Sequence, residues 1–397
     1  MKILVINTGS SSLKYQLFLM DKSEVLASGL VERIGEKLGI IHHKTNGREH
    51  KEERKIPNHS HAIQIVMELL TDTENGVITD KSEISAIGHR VVHGGEKFHE
   101  PCVITDEVLS AIKEHIPLAP LHNPANLTGI EACKTFFEDI QQVAVFDTAF
   151  HQSIPDYAYH YAIDHSLYDN YKIRRYGFHG TSHKYVAMKG AKFLNKDFSS
   201  SNLITIHLGN GSSIAAIRNG KSIDTSMGMT PLEGIVMGTR SGDIDPGIIF
   251  YMGRELNLHL TEIETILNKN SGLKGLCDTN DMRDLLDKKE KGDKKAELAF
   301  RIYVYRIKKY IGAYTAILGN LDAIIFTGGI GENSYDIRDA VCSNLSVFGI
   351  ALDELKNKTK DKHERAIHKS DSSVQILVIP TNEELQIALE TKEVLEK

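Results

Sequence analysis

Leu203-Ile-Thr-Ile-His-Leu-Gly-Asn-Gly-Ser-Ser213 is an apolar β-run that stops at a glycine turn. Ile3-Leu-Val-Ile-Asn-Thr-Gly-Ser-Ser-Ser12 does the same near the start of the chain, and Ala323-Ile-Ile-Phe-Thr-Gly-Gly-Ile-Gly-Glu-Asn333 does it again. Val143-Ala-Val-Phe-Asp-Thr148 ends alike, without glycine. A buried strand that stops at small residues leaves backbone N–H groups able to hold phosphate oxygens. One such turn fits a hairpin. Four, spread over most of the chain, point to a nucleotide cleft built from two similar halves.

Working outward, Lys2–Asn7, Leu13–Leu19 and Glu24–Glu32 read as a β-meander. Helical spacing follows over His59–Leu70, then a strand Ile84–His89 and helices Glu107–His115 and Pro124–Phe137, the latter opening on proline. Val143–Phe146 closes this unit. A second meander comprises Leu203–Leu208, Ser213–Arg218 and Lys221–Thr225, with Asn219-Gly220 as the strongest hairpin signal. Helices near Thr261–Leu267, Met282–Lys288 and Ala296–Leu318 precede strands Ala323–Thr327 and Val374–Ile379. Helix Glu383–Glu396 is expected to pack back on the first domain. This order, occurring twice, predicts an α/β fold of two actin-like ATPase (ribonuclease H-like) domains flanking a nucleotide cleft. The expected boundaries are 1–149 plus 384–397 for domain I and 150–383 for domain II.

At 397 residues the chain is too long for one ordinary core, which agrees with two domains. A net charge of −6 without a long basic stretch argues against nucleic acid or a membrane surface as partner. The apolar run Ile3–Ile6 is too short for a signal-peptide core, and no window reaches membrane-spanning length. Cys102, Cys133, Cys277 and Cys342 are far apart and form no C-x-x-C pair, so reduced thiols and a cytoplasmic location are expected.

The chain contains no G-x-x-x-x-G-K-[ST], which excludes a P-loop, and a strand follows Gly209-Asn-Gly211, which disfavours a Rossmann turn. Asn7-Thr-Gly-Ser-Ser-Ser-Leu-Lys14 gathers an amide, the hydroxyls of Ser10 and Ser12, and a lysine around one turn. A capped β-hairpin is the competing reading. Gly88-His-Arg-Val-Val-His-Gly-Gly95 sets Arg90 and Val92 on one side of an extended strand. Leu118-Ala-Pro-Leu-His-Asn-Pro124 is a proline-bracketed loop carrying His122, and Tyr176-Gly-Phe-His-Gly180 is expected to expose Phe178 and His179. The glycine-rich loop Thr230–Pro246 offers Arg240. Each histidine alone fits a structural role and each arginine a surface charge; their joint occurrence beside phosphate turns favours chemistry.

With these motifs, and with Asp278–Arg283, Phe326–Ser334 and Pro380-Thr-Asn-Glu-Glu384, the sequence resembles the acetate kinase family over essentially its whole length. The wider relatives, butyrate and propionate kinases, share the fold. The resemblance implies a reversible, Mg-ATP-dependent phosphorylation of acetate to acetyl phosphate by a homodimer, with Mn²⁺ as an alternative ion. It implies that Asn7 and Glu383 bind the metal. Lys14, His207, Leu208, Gly209, Asn210 and Gly211 would line the nucleotide. So would Asp281, Met282 and Arg283, and the turn of Gly329, Ile330, Gly331, Glu332 and Asn333. Arg90 would bind the substrate carboxylate, and Asp147, His179 and Arg240 would form the reacting centre. Val92, Leu121, Phe178 and Pro231 would enclose the methyl group, with His122 beside the substrate.

These residue types suit the reaction. A carboxylate meeting a phosphoryl group brings two anions together, so positioning and cationic stabilisation should dominate. A carboxylic acid with a pKa near ~4.3 is already ionised at neutral pH, so Asp147 is expected to orient a metal or an arginine rather than take a proton. A sugar kinase would need a more polar pocket, and an actin-like scaffold would have no use for Arg90, His179 and Arg240 near a phosphate.

Overall fold

Ile3, Leu4, Val5 and Ile6 have no exposed surface, and the strand they form, β1 (Lys2–Thr8), is the axis of one of two compact units. The computed structural model describes residues 1–45, 47–120 and 122–397. Met1–Phe150 with Asn382–Lys397 form unit 1, and His151–Thr381 form unit 2.

Unit 1 continues with β2 (Ser12–Leu19), β3 (Glu24–Glu32), β4 (Gly39–Thr45), β5 (Arg48–Arg54), β6 (Ala86–Val91), β7 (Cys102–Val103) and β8 (Gln141–Phe146). Their order in the sheet is β5-β4-β3-β2-β1-β6-β8-β7. The meander is antiparallel, with Asn7 opposite Lys14, whereas β6 runs parallel to both β1 and β8. Strands β4 and β5 were not expected. Arg-Glu-His-Lys-Glu-Glu-Arg in β5 has no apolar residue, and pairing along β4 at the sheet edge is what makes it a strand.

Glycine sets two close approaches in this unit. A Cβ on Gly88 would lie 2.4 Å from Thr391 Oγ1 and 2.9 Å from Ile387 Cγ2, so helix Glu383–Glu396 can sit directly on β6. Ile387 and Ala388 from that helix join Ile3, Val5 and Val143 in one apolar cluster. Burying an isoleucine there contributes about 2–3 kcal/mol. A Cβ on Gly129 would lie 2.1 Å from Thr8 Oγ1, so helix Asn123–Phe136 approaches the end of β1 equally closely.

Unit 2 contains β9 (Leu203–Leu208), β10 (Ser212–Arg218), β11 (Lys221–Thr225), β12 (Ala323–Thr327), β13 (Arg365–Ala366) and β14 (Gln375–Val378), ordered β11-β10-β9-β12-β14-β13. Asn219 and Gly220 join β10 to β11 with φ of 51° and 74°, the left-handed pair that matches strand twist. Helix Lys294–Leu318 starts where Asp293 accepts from Lys295 N and Ala296 N, and ends at Gly319. Its apolar face, including Tyr303, Ile307 and Ile311, packs with Ile204, Ile206 and Phe326.

Each unit thus sets an antiparallel meander beside two parallel strands: β3-β2-β1-β6-β8 in one, β11-β10-β9-β12-β14 in the other. The repeated order is that of the actin-like ATPase fold. Among the described residues no helix is long and apolar enough to cross a membrane, and all four cysteines are free thiols.

Candidate active site

In unit 1 the parallel strands deliver charge to one place. Arg90, the penultimate residue of β6, donates from Nη2 to Asp147 Oδ2 at 2.5 Å and from Nε to Oδ1 at 3.3 Å. Its Nη1 donates to Asn7 Oδ1 at 3.4 Å, and its Nε stands 4.0 Å from Glu383 Oε2. Asp147 follows β8 and is 2% exposed. These partners engage three of the five guanidinium donors, leaving an edge of the fork for another oxyanion. Lys14 pairs with Glu384 at 2.5 Å. Two cations therefore face three carboxylates. Burial, against the pull of Arg90 and with repulsion from Asp147 and Glu384, pushes the Glu383 carboxyl up to about 7. Asn7, Asp147 and Glu383 supply only hard oxygen donors, a set that suits Mg²⁺. No group of three His, Cys, Asp or Glu side chains among the described residues forms a ready ligand cage. A cation here would need the Asn7 amide, water or phosphate as well.

Two buried asparagines that the sequence reading missed hold the loop after β6. Asn126 accepts from Val92 N at 3.1 Å and donates to Thr8 O at 3.1 Å. Asn123 accepts from His93 N and donates to His93 O and Ile112 O. Their neighbouring prolines and histidine drew attention to the segment, but burial of an amide leaves no sequence signal.

In unit 2 the site is built from imidazole rings, hydroxyls and one arginine. His179 takes a left-handed backbone, φ 57°, at the start of helix Gly180–Phe193. Its Nδ1 is 2.9 Å from Ser213 Oγ, and its ring lies 4.4 Å from the ring of His207. His207 Nδ1 in turn meets Ser182 Oγ at 2.8 Å. Arg240 approaches the same turn: a Cβ built on Gly211 would lie 3.4 Å from His179 Nε2 and Cε1 and 3.6 Å from Arg240 Nη1. Among the described residues the Arg240 guanidinium bonds only to Pro231 O at 3.4 Å and Met237 Sδ at 3.9 Å, with no carboxylate partner. Burial lowers its pKa. A half-buried cation without an anion is a place for one.

Beside this turn is a cavity of about 660 Å³ lined by Gly209, Asn210, Asp281, Met282, Arg283, Gly329, Ile330 and Asn333. The sequence reading had singled out all eight. Asn280 and Ser334, which lie in the quoted stretches Asp278–Arg283 and Phe326–Ser334 without an assigned role, line the cavity too, as do Leu286 and Asp336 from outside them. Asp281 caps helix Met282–Glu290 and binds Arg283 by two bonds of 3.0 and 2.5 Å, which hold its carboxyl down to about 2.

Several expectations need correction. Gly328–Asn333 is a short helix rather than an open turn, and Gly331 is buried in it. The Glu332 carboxylate faces inward, accepting from Gly328 N and Thr381 N at 2.9 and 3.1 Å. Buried Arg338, which the sequence reading passed over, ties down Gly331 O and Glu332 O. Phe178 is 2% exposed, because the chain around it packs inward despite its flanking glycines. Strand β6 ends at Val91, so Val92 lies beyond the alternation that would have put it on the face of Arg90. His122 stands at the N-cap of helix Asn123–Phe136, Leu208 is fully buried, and Ser10, Ser12 and Lys14 flank the β1–β2 turn. Leu121 lies outside the described residues. Val92 belongs to unit 1, Phe178 and Pro231 to unit 2.

Glycine turns, an anion-seeking arginine and a doubled meander define a phosphotransferase of the actin-like class. A model of the acetokinase family matches residues 2–389. The acetate kinase of Clostridium novyi is 53% identical over 398 residues, covering 100% of this chain and 99% of the relative. That of Thermoanaerobacterium thermosaccharolyticum is 54% identical with the same coverage. The crystal structure of Porphyromonas gingivalis acetate kinase superposes with a TM-score of 0.95 at 45% identity, over 99% of both chains. A propionate kinase from Francisella tularensis gives 0.93 at 44%, also over 99% of both. The chain belongs to the acetokinase family.

Proposed function

We propose that this protein is an acetate kinase that transfers the γ-phosphoryl group of ATP reversibly to acetate. An acetate oxygen bonds to the γ-phosphorus as the bond to the β,γ-bridging oxygen breaks, and ADP leaves with that electron pair. The observation that carries this reading is Arg240, a half-buried cation with no carboxylate partner among the described residues, converging with His179 on the Gly211 turn. Near-identity of coverage with acetate kinases supports acetate as acceptor.

In this reading the open edge of the Arg90 fork binds the acetate carboxylate. Asp147, clamped to the other edge, orients Arg90, which supports an orienting role over proton transfer. Arg240 and His179 stabilise the three equatorial oxygens in flight. Gly209–Gly211 and the start of Gly328–Asn333 offer backbone donors to the nucleotide. Asn7 and Glu383 would hold Mg²⁺, and such an ion, when bound, neutralises charge on the β- and γ-oxygens. Val92, Leu121, Phe178 and Pro231 limit the acid by size. We assign unit 1 as domain I and unit 2 as domain II.

A homodimer is supported by helix Gly247–Glu255, which has no buried residue and exposes Ile248, Phe250 and Tyr251. An apolar helix face of that kind calls for a partner. Four free thiols are in keeping with a cytoplasmic location. Trapping acetyl phosphate with hydroxylamine tests the activity. ATP hydrolysis that ignores acetate would reject it.

A further inference from the structure

Behind His179 runs a chain of three side chains to which the reaction assigns no role. Ser213 Oγ lies 2.9 Å from His179 Nδ1 and 2.7 Å from His183 Nε2. Thr205 Oγ1 lies 2.7 Å from His183 Nδ1. Thr205, His183 and Ser213 are all fully buried. Burial, and then the neighbouring rings of His151 and His207, hold His183 well below the ordinary histidine range, so it is neutral with one N–H.

Two directions of donation fit these contacts. In the first, Thr205 donates to His183 Nδ1, His183 Nε2–H donates to Ser213, and Ser213 donates to His179 Nδ1. Every proton from Thr205 Oγ1 to His179 Nδ1 then has an acceptor. In the reverse, His183 Nδ1–H donates to Thr205, whose own hydroxyl proton must find another acceptor. His183 is the one partner of Thr205 Oγ1 among the described residues. An unmet donor in the interior is far costlier than an unused lone pair, so the first direction prevails.

We propose that Thr205, His183 and Ser213 are positioning residues that lock His179 with its proton on Nε2. His179 then offers a hydrogen-bond donor, rather than a lone pair, toward the Gly211 turn. That is the nitrogen 3.4 Å from the space a Cβ on Gly211 would fill. A lone pair there would repel a phosphoryl oxygen; an N–H attracts it. This assignment rests on the phosphoryl-transfer reading above.

The test is ¹⁵N NMR of the histidine-labelled full chain without ligand, above the ordinary histidine pKa of about 6.5. We expect a single His179 species with Nδ1 unprotonated and Nε2 protonated. Ser213→Ala should let a second tautomer appear and lower kcat about tenfold, with the KM for acetate unchanged. Ser213→Thr, which keeps the hydroxyl, should restore both. A proton on His179 Nδ1 in the wild type overturns the proposal, and that measurement stands even if Ser213→Ala does not fold. So does a Ser213→Ala protein with one tautomer and wild-type kcat. A wild-type chain with the Nε2 proton that makes no acetyl phosphate would instead reject the reaction and leave the lock standing.

Discussion

Arg90 in unit 1 and Arg240 in unit 2 are both half-buried, but their surroundings differ in kind. Arg90 is gripped along one edge by Asp147, with Glu383 within 4.0 Å. Arg240 has a carbonyl and a thioether, and its neighbours are a glycine turn and a histidine backed by hydroxyls. The two sheets share the order of five strands, so the difference lies in the residues they carry: Arg90 sits in β6 itself, Arg240 in a loop after β11. A paired arginine is fixed in orientation before any ligand arrives. An unpaired one keeps its full charge for the ligand. The first suits recognition of a small carboxylate, the second stabilisation of charge in flight.

The contrast breaks first at Arg240. Arg240→Ala should lower kcat about 10³-fold, and Arg240→Lys should recover little, since a point charge cannot replace the fork. Because no carboxylate loses a partner, the melting temperature should stay close to wild type. Arg90→Ala should lower kcat/KM for acetate about 10²-fold or more. Here stability should fall too, by about 3 kcal/mol, because the buried Asp147 carboxylate loses its two-point contact with Arg90. Steady-state kinetics beside denaturant titration separate the two outcomes. Equal stability losses would erase the distinction.

Smaller effects sharpen it. Val92→Ala should improve propionate relative to acetate, by up to about tenfold in the ratio of kcat/KM, because one methylene is worth roughly 1–3 kcal/mol. A ratio that is unchanged or lower removes Val92 from the acid pocket. The smallest effect concerns pH. A glutamate with an unfolded pKa near 4.5 and a folded value of about 7 binds more protons folded than unfolded between those limits. Its contribution to stability is therefore present at low pH and lost as pH rises through 7. Without divalent ion, Glu383→Gln should melt higher than wild type above pH 7, and the two should converge toward pH 5. With the ion present, wild type should gain and the variant should not. Thermal melts across that range decide it.

Much of this arrangement was legible beforehand. Both meanders, the Asn219-Gly220 hairpin and helix Glu383–Glu396 follow from alternation, turn chemistry and helical spacing, which are local. The cavity around Gly209, Asp281 and Asn333 was legible because glycine turns end two of the strands beside it and because the family resemblance added Asp281–Arg283. Less visible was β5, all polar and held only by its neighbour, and the helix at Gly328–Asn333, whose glycines oppose helix formation until Arg338 ties its carbonyls.

The residues themselves determined the element order, the family and the roster of charged and imidazole groups, because periodicity and turn chemistry act over a few positions. Tertiary structure alone decided that Arg90 meets Asp147 across 57 positions, that Arg240 meets no acid among the described residues, and that Phe178 turns inward. Pairing, burial and the direction of a buried hydrogen-bond chain depend on what lies nearby in space, and no local pattern carries that.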